Sequence, residues 1–419
     1  MKQKKKMLLM LLLCFVVVLA TACSGNVKSP VGKSDGSGSG DKKVEYVKIA
    51  ALAPLSGAYA INGQNVIKGT EMAVEEINAN GGIKSLGGAK FKLVTADTGS
   101  SDPSHAASVA RRVIQENPDL TAMIGLWASS YTLAGSTVTE QAKIPLLSQS
   151  FTDEITARGY KYVFQFPAKA SKMGELSVDY LLKAAKENNY EIKTMAVLSD
   201  NQSSNKTVGQ TTAKKFRENG VNVPVEEYYK PGLTDATAIS TKILNADPDL
   251  IYAAGALSDL SLIMKTLRGM GYKGTFLGSG AGYVLSQFNE ATGDAGNGSF
   301  ATAGWNWDFP YPGAKEFNQK YVEKYKEPFA PQEAGEDYAM VYALKAALEK
   351  AGTTDHEKVR DALSQVSIDS IMTGGHVSFD ETGMNKDVEP VLIEWIDGKP
   401  RTIYPTNASS TKPIFNFEK

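Results

Sequence analysis

Cysteine is almost missing from this chain. Cys14 and Cys23 are the only two, so everything beyond residue 23 lacks a disulfide, a free thiol and a cysteine-ligated metal. Histidine is equally sparse: His105, His356 and His376 are scattered without ligand spacing, and no metal is expected. An excess of charge of one sign is also lacking. The formal net charge is -1 and no long single-sign run occurs outside the extreme N-terminus, which removes the usual reason to expect nucleic acid as a partner. Neither a G-x-S-x-G elbow nor a G-x-x-x-x-G-K-[ST] loop is present, so nucleophilic hydrolysis and P-loop chemistry have no local support. The sequence supplies no convincing nucleophile–base pair, and no catalysis and no cofactor are expected.

Only one long hydrophobic run exists, Met7–Ala20, and it is shorter than the about 20 apolar residues a bilayer span needs. Lys2, Lys4, Lys5 and Lys6 precede it and "ATAC" follows, ending at Cys23. A basic start, an apolar core and small residues before a cut make a secretory signal, expected over 1–22. A cysteine directly after the small pair resembles a bacterial lipobox, in which Cys23 is acylated. Residues 23–43 include "SGNVKSPVGKSDGSGSGDKK", a polar Gly/Ser tether with nothing to bury. The expected location is the extracellular face of a bacterial cytoplasmic membrane, held by lipid.

From Val44 the chain alternates strand and helix. "EYVKIAALAPLSG" reads as a strand, and Val66, Thr70, Val74 and Ile77 then recur at helical spacing before a Gly81–Gly82 stop. "AKFKLVTADTG", "LTAMIGLW" and "IPLLSQS" continue the series, each followed by a helical stretch. After "YVFQFPAKA" it restarts with "TMAVLSD", "VNVPVEEYY", "LIYAAGA" and "TFLGSG", and the chain closes on a hairpin-like "VEPVLIEW-IDGK-PRTIYP". Such units imply an α/β fold of two doubly wound parallel-sheet lobes. The ligand crevice of such sheets lies beyond the carboxyl ends of the strands. Two junctions there are rich in hydroxyls, "ASSYT" and "SQSFT". Each offers helix N-terminal amides that favour an anion and hydroxyls that can donate to it. Alternatively, Ser129, Ser130 or Thr152 only caps its own helix. Trp127 adjoins the first junction and is placed in the crevice; "GWNWDFPYPG" is either surface packing or a wall near the cleft.

From Val44 to about Pro405 the sequence resembles the type I periplasmic binding proteins of the branched-chain amino-acid (Leu/Ile/Val) kind, the solute receptors of ABC importers. The likeness rests on "IAALAPLSGAYAINGQ", "MAVEEINANGGI", "DPSHAASVARRVI", "IGLWASS", "IPLLSQSFTDEITARGYKYVFQ", "LIYAAG", "GMGYKGTFLGS" and "FDETG", in order. It implies that Ser129 binds a ligand carboxylate and that Ser150 and Thr152 supply a backbone carbonyl and a hydroxyl. Elsewhere the pattern departs. Asn62 stands where an aromatic is usual, Ser204 and Ala256 near the second-lobe tyrosines, and Gly280 where an acid pairs the ligand ammonium. Asp337 occupies an aromatic position and becomes the replacement ammonium partner, unless it is an exposed acid at a helix start. A leucine, isoleucine or valine ligand therefore does not follow from the likeness.

The resemblance implies a multi-crossover hinge, with lobe 1 over 44–166 and 299–386 and lobe 2 over 167–298 and 387–419. The expected function is an extracytoplasmic binding lipoprotein that takes a small solute, an amino acid or related carboxylate, in the interlobe cleft. Its partners would be that ligand, an ABC permease and, through acylated Cys23, membrane lipid; it would act as a monomer. The alternatives are a ligand-sensing receptor on the same fold and a binder of an aromatic acid or another solute that is not an amino acid.

Overall fold

The computed structural model describes residues 44–100 and 102–415. The expected signal, the tether and Cys23 lie outside those residues, as does the end of the expected second lobe, 416–419. Among the described residues no helix is long and apolar enough to cross a membrane.

The first half alternates β1 (Tyr46–Ala53), α1 (Ala60–Ala79), β2 (Lys90–Asp97), α2 (Pro103–Glu116), β3 (Leu120–Gly125), α3 (Ser129–Gln141), β4 (Leu146–Ser148), α4 (Glu154–Ala157) and β5 (Val163–Gln165). The second runs through α5 (Ala170–Glu187), β6 (Thr194–Asp200), α6 (Ser203–Glu218), β7 (Asn222–Tyr229), α7 (Thr237–Leu244), β8 (Leu250–Ala254), α8 (Leu257–Gly269), β9 (Thr275–Ser279), α9 (Phe288–Thr292) and β10 (Phe300–Ala303). Then come α10 (Ala314–Tyr325), α11 (Gln332–Ala351), α12 (His356–Leu363), the small pair β11 (Ser367–Asp369) and β12 (His376–Ser378), and the hairpin β13 (Val391–Ile396) and β14 (Lys399–Tyr404).

The first sheet has the strand order β2-β1-β3-β4-β5, all parallel. The second reads β14-β13-β10-β9-β8-β6-β7, in which only β13 and β14 run antiparallel to their neighbours. Read from β7, its parallel part repeats the first order. Each sheet therefore has a switch point, between β1 and β3 and between β6 and β8, where a crevice opens at the carboxyl ends. Alternate residues of a strand bury opposite faces, as parallel sheets require. Val47 and Ile49 face one apolar cluster, whereas Ala50 and Leu52 face another that includes Val109, Ala110 and Met123.

The chain crosses between the sheets after β5, after β10 and before β13. These crossings are stitched together. Asn385 donates its backbone N–H to Gln165 O at 2.8 Å and its Nδ2 to Phe166 O at 3.1 Å, and Gly304 N donates to Gln332 Oε1 at 2.8 Å. One expectation is corrected here. The boundary at 299 put Phe300–Ala303 in the first lobe, but β10 pairs with β9 and β13 in the second sheet. The four-residue strand is apolar on both faces, and its period does not reveal which sheet it joins. The aromatic stretch "GWNWDFPYPG" follows that crossing and is packing: Trp305 is buried against Gly335, with its indole N–H on Ile371 O.

Helix α1 packs against α11 at contact distance. A methyl group on Gly69 would meet Ala334 O at 2.2 Å, and that atom is backbone and cannot swing away. Gly69→Ala should therefore cost about 1–3 kcal/mol by overpacking. Gly269→Ala, in a helix end with nothing within 4 Å, should be neutral or slightly stabilising. Denaturant unfolding of both variants checks the contrast, and equal effects would show that the α1–α11 contact is looser than described.

Candidate functional site

Between the two sheets lies a cleft. Its walls come from the carboxyl ends of the strands, as the switch-point rule requires. The first lobe contributes Tyr59 after β1, Trp127, Ala128 and Ser129 after β3, and Phe151 after β4. The second lobe contributes Met173 from α5, Gln202, Ser204, Asn205 and Val208 after β6, and Ser279, Gly280 and Ala281 after β9.

The β3–α3 junction is built from left-handed backbone. Gly125, Leu126 and Trp127 have φ of 103°, 64° and 43°. Leu126 and Trp127 are strained there, by the roughly 1–3 kcal/mol that such residues cost. Surrounding bonds impose the shape. Leu126 N donates to Leu52 O at 2.6 Å, and Ser150 Oγ donates to Trp127 O at 2.6 Å. Ser150 is thus fully buried behind the loop, and its own carbonyl accepts from Gln165 Nε2 at 2.9 Å. Ala281, across the cleft, is also left-handed, at φ 43° beside Gly280 at 41°.

The capping alternative is not what the backbone shows. The N-cap of α3 is Ala128 and makes no side-chain cap bond, and Ser129 is the first helical residue. Its Oγ instead accepts the Thr152 N–H at 3.2 Å, tying the two hydroxyl-rich junctions together. Thr152 does not cap α4, whose N-cap, Asp153, makes no side-chain cap bond either. Ser130 Oγ donates to Gln202 Oε1 of the second lobe at 3.3 Å. The first turn of α3 therefore carries amide donors with no side chain capping them, beside the Ser129 hydroxyl.

Trp127, Ser129, Ser204 and Gly280 line the cleft, whereas Ser150, Thr152, Asn62, Ala256 and Asp337 do not. Thr152 sits one bond behind Ser129, and Ala256 is the buried N-cap of α8. Asn62 bridges the lobes, its Nδ2 donating to Glu333 Oε1 at 2.7 Å and to Ala281 O at 3.3 Å. Asp337 is not an exposed helix-start acid. It is fully buried in the second turn of α11 and accepts from Gln149 Nε2 at 3.1 Å.

Sequence reasoning missed Tyr59, Phe151, Gln202, Asn205, Ser279 and Ala281. The signal was available, since each lies at, or within several residues after, the carboxyl end of a strand. Tyr59 stacks obliquely on Trp127, with ring centroids 4.9 Å apart, and its hydroxyl donates to Asp200 Oδ2 of the second lobe at 2.5 Å. Asp200 Oδ1 accepts from Gln202 N at 3.1 Å and from Asn205 Nδ2 at 2.9 Å. Burial pushes the Asp200 carboxyl up to about 6, even though the Tyr59 and Asn205 bonds pull the other way.

A serine–histidine–carboxylate chain that the sequence did not suggest stands away from the cleft. Ser367 Oγ lies 3.1 Å from His376 Nε2, and His376 Nδ1 lies 2.8 Å from Asp387 Oδ2. Its members share the exposed face of the β11–β12 pair, and Ser378 also donates to Asp387, so the chain fastens a hairpin. Among the described residues no group of three or more His, Cys, Asp or Glu is placed to hold a metal ion.

Two doubly wound lobes with a cleft at their switch points have the architecture of a solute-binding protein. Comparison with known proteins makes this specific: the periplasmic binding protein family matches residues 46–388, and the chain belongs to that family. It is 29% identical over 379 residues to a Leu/Ile/Val-binding protein homolog 7 of Brucella suis biovar 1 (strain 1330), covering 87% of this chain and 92% of that protein. A leucine-binding protein from Thermotoga maritima superposes with a TM-score of 0.74 at 26% identity, over 85% of this chain and 97% of that one. The branched-chain amino-acid binding protein of Streptococcus pneumoniae, solved with isoleucine, gives 0.74 at 25% identity, over 86% and 100%. The fold is that of type I periplasmic binding proteins, and family and fold are those of substrate-binding proteins of ABC transporters rather than enzymes.

The raised Asp200 carboxyl, at a contact between the lobes, predicts a stability that depends on pH. A carboxyl raised from 3.8 to about 6 is favoured in its neutral form by the folded state. Its contribution to stability is whole below pH 4 and is lost as pH rises through 6. The difference in unfolding free energy between the native protein and Asp200→Asn should therefore shift by on the order of 3 kcal/mol from pH 4 to pH 7, against the native protein. Denaturant titrations across that range measure it, and a flat difference would mean that Asp200 is better solvated than its burial implies.

Proposed function

We propose that this protein captures an amino acid or related carboxylate in the interlobe cleft and presents it, in the closed form, to an ABC permease. The observation that carries the reading is the pair of linked junctions at the first lobe's switch point. Ser129 offers a hydroxyl to the cleft beside the first-turn amides of α3, and Thr152 holds that hydroxyl from behind. Amides at a helix start and a hydroxyl together suit an ionised carboxylate. In this reading Ser129 grips the carboxylate, and Trp127, Ser204 and Gly280 face the rest of the solute. Thr152, Ser150, Asn62 and Ala256 act from behind the wall by fixing backbone, and Asp337 answers the amine from a deeper layer. Ligand touching both lobes stabilises the closed form by its differential affinity.

A second reading is an aromatic carboxylate, favoured by the three rings of Tyr59, Trp127 and Phe151 in one wall. A sensory receptor would use the same contacts and differ only in its membrane partner. In all of them we place the mature protein on the outer face of a bacterial membrane, lipid-anchored through Cys23 and monomeric. Cys23→Ala should release the protein into the medium or block its processing; unchanged membrane retention in cell fractionation would refute the anchor.

The test of the cleft is calorimetric titration with amino acids and aromatic acids. A hydrogen bond to a charged group contributes roughly 1.5–3 kcal/mol. Ser129→Ala should thus weaken binding by about one to two powers of ten, since 1.4 kcal/mol is tenfold. It also strips the Thr152 amide of its acceptor and should lower the melting temperature without ligand. Thr152→Ala keeps the backbone amide that meets Ser129 Oγ and should change affinity much less than Ser129→Ala. A lowered melting temperature with unchanged affinity would show that the junction is only structural.

A further inference from the structure

Beneath the cleft, in the first two turns of α11, three acids are buried together. Glu333, Glu336 and Asp337 are each at most 1% exposed. They are poorly provided with donors. Glu333 Oε2, both oxygens of Glu336 and Asp337 Oδ1 have no hydrogen-bond partner. A side chain from another element repeats the shortage independently. Gln149, buried after β4, gives its Nε2 to Asp337 Oδ2, and its Oε1 is left without a donor.

Five bare acceptors in one buried region are costly, at about 1–3 kcal/mol for each unsatisfied group. Protonation relieves only part of this. Burial pushes Glu333 up to about 7 and the other two well above the ordinary carboxyl range. Yet a carboxyl proton helps only where another acceptor of the cluster lies within reach, and no donor meets any of the five oxygens. What the region lacks is a positively charged group with several donors. A protonated amine has three and a guanidinium five. Water brings two and no charge, and a metal is disfavoured by the donor geometry.

The cluster is one side chain away from the cleft. Glu333 is held by Asn62 and flanked by Trp127, and Asn62 also reaches Ala281. Trp127 and Ala281 are wall residues. Glu336 lies against Gly304, at a point that is also 3.4 Å from the ring of Phe151, another wall residue.

Resting on the reading that the cleft is the ligand site, we propose that the solute carries a basic nitrogen at the end remote from its carboxylate, received by Glu333 with Glu336 and Asp337 behind it. The protein would then select amine- or guanidine-bearing carboxylates over branched aliphatic ones. Charge balance requires that, as the cation enters, Glu333 gives up a proton to solvent.

Lysine, ornithine and arginine, with norleucine and leucine as uncharged counterparts, are titrated into the whole protein at pH 6.5 in buffers of differing ionisation enthalpy. The basic solutes should bind at least tenfold tighter than norleucine and release up to one proton. In Glu333→Gln that preference should fall more than tenfold and the proton release should vanish, and Glu336→Gln should weaken the same preference if the first variant folds poorly. Norleucine or leucine binding as tightly as lysine, absence of binding by every basic solute, or loss of affinity for all solutes alike in Glu333→Gln would overturn the proposal. Neutral solutes that bind as tightly as the basic ones and depend on Ser129 would sink this inference and leave the cleft reading standing. Basic solutes that bind regardless of Ser129 would sink the cleft reading itself.

Discussion

Three consecutive left-handed residues, Gly125, Leu126 and Trp127, turn the chain from β3 into α3, and the geometry of the cleft depends on that turn. A parallel strand entering its helix by a relaxed loop would leave the first amides of α3 aimed past the crevice. The turn redirects them and brings the indole of Trp127 over the same space. Gly125 makes the start possible, since a methyl there would lie 2.4 Å from Leu52 O. Leu126 and Trp127 gain nothing from the conformation locally. They hold it because Leu52, Ser150 and Thr132 leave no alternative: Ser150 Oγ binds Trp127 O and the Thr132 hydroxyl together. Strain of this kind persists where surrounding structure over-determines it and tends to mark functional sites.

The second constraint acts between lobes. Polar contacts between the lobes include Tyr59 on Asp200, Ser130 on Gln202, Asn62 on Ala281 and Ser286 on Glu327. Each is a single hydrogen bond, and such bonds contribute about 0.5–1.5 kcal/mol net. Contacts this weak suit a protein that must open and close. A ligand needs to add only a few kcal/mol of interface to shift such an equilibrium. The three crossings are by contrast densely bonded, so the lobes are fixed at the hinge and adjustable at the mouth.

Much of the fold was legible in the sequence because its signals are local. Helical spacing from Val66 to Ile77 marked α1, Pro103 opened α2, and the Asp397–Gly398 turn marked the last hairpin. The crevice position followed from strand ends, and Ser129 and Trp127 with it. What escaped depends on contacts between distant segments. Phe300–Ala303 looks alike for either sheet, and only pairing with Val391–Glu394 assigns it. Asp337 read as an ammonium partner or an exposed acid at a helix start, and Glu333 was not singled out. Nothing within α11 announces that α1 and the chain after β10 cover them. The serine at 150 was legible as a junction hydroxyl, but not as a strut behind Trp127, because that role belongs to a carbonyl 23 residues away.

Elsewhere in the molecule, buried charge is well compensated. Asp249 accepts two backbone amides at the foot of β6, Asp259 accepts two from the turn after β7, and Glu394 accepts two near the C-terminus. These acids organise loops, and removing one would leave amides unpaired. The acids of α11 organise no backbone in this way. Glu336 meets no donor at all, although a fully buried glutamate is among the least favourable residues a core can hold. An apolar residue there would stabilise the apo protein more, and the same helix buries Ala339, Met340, Val341 and Leu344 without difficulty. Among the described residues, the buried carboxylate oxygens without a donor all lie on α11. If the cleft takes the basic solute proposed above, the occupant would supply the donors that this helix lacks, and its binding would offset that cost.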